Sequence, residues 1–169
     1  MKVWLASLAM VTGLAACSSE HQKVVVDPGK YQVKSAQELQ QRFDDLNSKL
    51  AQDFQQFKKV ESIAFSHQLP LDVNNLQTLN QHPVSRTALK SSKVAYCDMM
   101  NGYFAEMYRL GHYNLNLVDE IQLPKAENED LKSNFASSDQ FYTFILDRYT
   151  TYRQVQQTMN YGCNLKAAL

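Results

Sequence analysis

From residue 36 to residue 66 the chain holds no glycine and no proline, and its apolar side chains return at steps of three and four: Leu39, Phe43, Leu46, Leu50, Phe54, Phe57, Val60 and Ala64. A helix of 3.6 residues per turn gathers these positions on one stripe, and Gln37, Gln40, Gln41, Gln52, Gln55 and Gln56 fall largely on the other side. Immediately before the stripe, Ser35-Ala36-Gln37-Glu38 is a capping box. The Ser35 hydroxyl can accept from the Glu38 amide while the Glu38 carboxylate reaches back. The spacing predicts a helix over 36–66, about 47 Å long. Taken alone, it also reads as one strand of a coiled coil, so a homo-oligomeric rod competes with a bundle and the oligomeric state stays open.

The same period returns twice. Between about Ser85 and Gly111, Leu89, Tyr96, Met99, Tyr103, Met107 and Leu110 form one stripe, with Met100, Phe104 and Tyr108 beside it. That arc is wider than a helix with one neighbour needs. Either the helix sits in the middle of a bundle, or Met100, Phe104 and Tyr108 line an open groove, a candidate protein-binding surface. Gly111 reads as a C-cap, with a further turn or two over Asn114 to Glu120. Before this helix, Asp72 can cap a short one running to Leu79 between Pro70 and Pro83. After it, residues 124–137 read as a solvated connection with one helical turn around Leu131 and Phe135. A third helix starts at a Ser137 or Ser138 cap, buries Phe141, Ile145, Tyr149, Tyr152, Val155 and Met159, and stops at Gly162. The expected fold is all-α: an antiparallel bundle of three long helices plus one or two short ones over residues 35–163, with a frayed tail at 164–169.

The amino-terminal stretch carries a different message. Lys2 precedes an apolar run from Val3 to Leu14, followed by Leu14-Ala15-Ala16-Cys17. The run is about 18 Å long as a helix, against about 30 Å for a bilayer core, which suits a secretory signal and not a membrane span. With its lipobox, the chain here resembles the bacterial lipoprotein precursors. The resemblance implies removal of residues 1–16 and lipid attachment at Cys17, through diacylglycerol and fatty acyl chains such as palmitate. Residues 17–34 then form the lipidated terminus and a tether of at most about 58 Å. Val24-Val25-Val26 reads alternatively as a short docked strand, ahead of an Asp27-Pro28-Gly29 turn. Ser18 stands where inner-membrane lipoproteins often carry Asp, so the resemblance implies the outer membrane, facing the periplasm.

Once Cys17 is assigned to lipid, Cys97 and Cys163 remain, and outside the cytosol such a pair is expected to be a disulfide. Counting agrees: Cys97 lies 24 residues before Ile121 and Cys163 lies 25 after Ser138, level with one another if the intervening helices are unbroken. With 17 basic and 17 acidic residues, the chain lacks the cationic excess that a nucleic-acid partner requires. His21, His67, His82 and His112 are scattered singly, and no phosphate loop, nucleophile elbow or metal-ligand spacing appears, so no cofactor or metal is expected. The expectation is a non-catalytic accessory or scaffold lipoprotein that binds another envelope protein. The alternatives are a pilotin-like secretin chaperone, and a periplasmic inhibitor or immunity protein using residues 124–137 as a plug. An enzyme would require a cleft that gathers a histidine with a carboxylate or hydroxyl.

Overall fold

The computed structural model describes residues 26–60, 90–124, 126, 127 and 129–169. Among these the secondary structure is entirely helical: α1 (Ala36–Val60), α2 (Lys90–His112), α3 (Leu131–Phe135), α4 (Ser138–Arg148), α5 (Thr150–Met159) and α6 (Leu165–Ala168), with 3-10 turns at Pro28–Lys30 and Val118–Glu120. The last turn expected for the first helix, the short helix at 72–79 and the start of the second helix at 85 lie outside the described residues. No helix among the described residues is long and apolar enough to cross a membrane.

The capping box forms. Ser35 Oγ accepts from the Glu38 amide at 3.2 Å, and Glu38 Oε2 accepts from the Lys34 amide at 3.0 Å, one residue before the expected donor. Leu39, Phe43, Phe54 and Phe57 of α1 are buried, whereas Leu46 and Leu50 are half-buried. The two longest helices run antiparallel. Asn47 meets Tyr103, and the Phe57 ring meets the Tyr96 ring at 6.3 Å, so positions rising along α1 match positions falling along α2. Beyond α2, Phe104 packs edge-on against Tyr149 at 5.3 Å and Tyr152 at 5.1 Å, and Tyr108 meets Phe141 at 5.2 Å. The wide apolar arc of α2 therefore meets two neighbours, α1 on one flank and α4 with α5 on the other.

Several expectations fail for identifiable reasons. Gly111 does not cap α2; it lies inside the helix, where a Cβ would overlap the Phe135 ring. The stretch 124–137 is not simply solvated, because Ala126, Leu131 and Phe135 join Leu123 in the core. There α3 starts from Asp130, whose Oδ1 accepts from the Ser133 amide at 2.9 Å. The third long helix is two helices. Ser137 caps α4 by accepting from the Gln140 amide at 3.3 Å, and the chain breaks at Tyr149, where ψ is 54°. The β-branched pair Thr150-Thr151 follows at once, a weak continuation for a helix. Asn160, left-handed at φ 48°, ends α5 two residues before Gly162.

Neither end of the expected domain holds as drawn. The tail at 164–169 does not fray: it forms α6, whose Leu165 is buried. The tether does not extend to residue 34, because Tyr31 is buried and Val26 packs against the core. Cys97 and Cys163 are joined, with Cα atoms 5.0 Å apart. They do not meet by the route that counting supposed, since α2 ends at His112 and the third helix is broken. Between them Val118, Ile121, Leu123, Ala126, Leu131 and Phe135 are buried in the core.

Candidate functional site

Met100 and Phe104 are core residues, 3 % and 0 % exposed, so the trough expected along Met100, Phe104 and Tyr108 does not exist as an open surface. Tyr108 is half-buried and stacks on His112 with ring centroids 5.0 Å apart. His112 Nδ1 lies 2.9 Å from the Phe135 carbonyl. A carbonyl only accepts, so this nitrogen carries the proton and donates. Burial, with Tyr113 nearby, pushes the Tyr108 hydroxyl above its ordinary range. Tyr108 and His112 thus hold α2 to α4 and α3.

A groove does exist on the other flank, between α1 and α2. Its apolar residues are Leu46, Leu50, Met99 and Tyr103, all half-buried, and its volume is about 350 Å³. Gly102 opens it: a Cβ at that position would meet nothing within 4 Å. A glycine inside a helix costs about 1 kcal/mol relative to alanine, so the gap is held against local preference. The Tyr103 ring is fixed in place by its hydroxyl, which donates to Asn47 Oδ1 at 2.6 Å. Burial raises that hydroxyl to about 12, keeping it a neutral donor at any physiological pH.

The rim carries both signs of charge. Lys49 pairs with Asp53, and Arg109 Nη1 donates to Glu106 Oε1 at 2.8 Å. Glu106 Oε1 also accepts from the Tyr31 hydroxyl at 2.8 Å, which ties the rim to the incoming chain. Asp98 is exposed and has no ion pair among the described residues. Such a surface suits an amphipathic partner with an apolar stripe and a cation beside it. The sequence hid this groove because Leu46 and Leu50 keep the same period as the fully buried Leu39 and Phe43. The overlooked signal was Gly102, one turn from Met99 and next to Tyr103.

A second, more polar cleft of about 620 Å³ lies between the start of α1 and residues 120–127. Gln40 spans it, donating from Nε2 to the Gln122 carbonyl at 3.2 Å and accepting at Oε1 from the Gln122 amide at 2.8 Å. Asp44, Glu120 and Glu127 make its lining acidic. Among the described residues no three His, Cys, Asp or Glu side chains are placed to hold a metal ion. Cys17 lies outside the described residues. Comparison of the chain with models of known protein families, with curated proteins and with solved structures found no match in any of the three.

Proposed function

We propose that this protein is a lipid-anchored accessory or scaffold of the bacterial envelope, which captures an amphipathic helical segment of another envelope protein in the groove between α1 and α2. In this reading Cys17 carries the lipid, the outer membrane holds the anchor and the body faces the periplasm. The body itself is an antiparallel helical bundle, and its role is to hold a partner and not to transform one. The observation that carries the reading is the half-buried apolar set Leu46, Leu50, Met99 and Tyr103, opened by Gly102 and rimmed by Lys49, Asp53, Asp98 and Arg109. Helix capture is also the form of action that a pilotin-like protein would use.

A photo-crosslinking residue at Leu50 or Met99, in intact cells, tests it. The same envelope protein is expected at both positions and absent from a control at Gln55, which is exposed on α1. Gly102→Leu fills the groove with a better helix former in open space, so the chain is expected to fold while capture is lost. Cys17→Ser is expected to reduce capture by releasing the body from the membrane. Crosslinks at Gln55 but not at Leu50, or undiminished capture by Gly102→Leu, would contradict the reading.

A further inference from the structure

The first described residues are fastened to one end of the body, where α1 begins and α2 ends. Asn114, 2 % exposed, is the fastener. Its Oδ1 accepts from the Val33 amide at 2.9 Å, and its Nδ2 donates to the Tyr31 carbonyl at 2.9 Å and to the Leu110 carbonyl at 2.8 Å. The Tyr31 ring stacks on Tyr113 at 5.8 Å, and Arg42 donates to the Lys30 carbonyl at 3.1 Å. With Val26 also packed on the core, only nine residue steps separate Cys17 from the body (26 − 17).

Nine steps reach at most about 32 Å when fully extended, and about 17 Å on average as a flexible coil. By comparison, α1 alone is 25 residues, or about 37 Å. The Lys30 carbonyl is held by Arg42, 18 residues short of Val60, so a body standing on the Val60 end of α1 would hold that point about 27 Å from the bilayer, well beyond the coil average of the tether. A body standing on its other end would hold it about 9 Å away, within that average.

Resting on the lipid-anchor reading above, we infer that the end of the body formed by Lys30, Lys34 and Tyr113 is a membrane-facing surface, opposed to the lipid headgroup layer. Its chemistry fits that neighbour. Lys30 and Lys34 are exposed cations for headgroup phosphates, and Tyr113 is a half-buried ring of the kind that sits at membrane–water interfaces. The groove between α1 and α2 then stands along the side of the body, open to a partner beside it and not to the bilayer.

Single-cysteine variants at Gln32 and Gln56, both exposed, test this orientation. Cys97 and Cys163 are bonded to one another and Cys17 is acylated in this reading, so the introduced thiol is the one that takes a fluorescent donor. Gln56 lies 20 residues beyond Ala36, about 30 Å further along α1. Lipidated full-length protein is reconstituted in phosphatidylethanolamine and phosphatidylglycerol vesicles that carry a headgroup-linked acceptor. Energy transfer is expected to be several-fold higher from position 32 than from position 56. A Gly/Ser insertion of about 20 residues between Val25 and Val26 is expected to erase most of that difference. Equal transfer, or higher transfer from position 56, on a chain whose mass shows acylated Cys17 would overturn this inference alone. A difference that survives the insertion would overturn tether length as its cause. A chain that carries no acyl group would overturn the lipid-anchor reading as well.

Discussion

At the scale of single residues, two positions show how little a sequence says about why a side chain is missing. Gly111 and Gly102 both sit within α2, and neither has positive φ; the positive φ among the described residues belongs to Asn160. A glycine that ends a helix and one that admits a neighbour's ring look alike in sequence, because both require the absence of a Cβ. Gly111→Ala separates them. Helix propensity would return about 1 kcal/mol, but overpacking against the fully buried Phe135 costs about 1–3 kcal/mol, so denaturant unfolding is expected to show a net loss. A gain in stability would mean that Phe135 yields. The buried tyrosines make a second prediction. Burial, with neighbouring tyrosines, pushes the hydroxyls of Tyr96, Tyr149 and Tyr152 upward, and burial alone takes Tyr103 to about 12. An unfolded tyrosine releases its proton near pH 10, so above that value the unfolded chain holds fewer protons than the folded one. The contribution of Tyr103 is therefore complete below pH 10 and is lost as pH rises through about 12. The tyrosinate absorbance of these four side chains is expected to appear together with loss of helical signal, and not before it.

At the scale of elements, the long periodic segments were legible and the interruptions were not. The stripe from Leu39 to Phe57 and the arc from Tyr96 to Leu110 mark α1 and α2 directly, because long runs of helical period leave few alternatives. The third stripe, from Phe141 to Met159, keeps its period across Tyr149 although the helix does not. Apolar spacing reports which face is buried; it is blind to a single residue of ψ 54° whose ring is taken up by Phe104 and Phe144. The short α6 escaped for another reason: it has one anchor, Leu165, which is too few to make a period, whereas α3 is the single turn expected around Leu131 and Phe135. Asn160 is the clearest boundary, since its left-handed backbone lets its amide bond to the carbonyls of Gln156 and Gln157. Asn160→Val is expected to cost about 1–2 kcal/mol, and Asn160→Gly little or nothing. Equal loss in both variants, measured by thermal unfolding, would place the cost in the Asn side chain instead of its backbone.

At the scale of the whole molecule, the Cys97–Cys163 bond joins α2 to the chain just ahead of α6 and closes a loop with a sequence separation of 66. On the chain-entropy model such a loop contributes about 4 kcal/mol. The double variant Cys97→Ser, Cys163→Ser is expected to lower the unfolding midpoint and to expose the α6 amides first to hydrogen exchange. Unchanged stability on reduction would show that packing of Leu165 alone secures that end. The pairing was legible because, once the lipid-anchor reading assigns Cys17 to lipid, the two remaining cysteines leave one intramolecular choice, whereas the groove between α1 and α2 was not, because half-burial has no period of its own. The account depends most on the acyl anchor at Cys17. Intact mass measurement of the mature protein from its native membrane addresses it directly: the account predicts a chain that begins at Cys17 and carries diacylglyceryl and acyl mass. An unmodified chain, or one cut elsewhere than before Cys17, would contradict it.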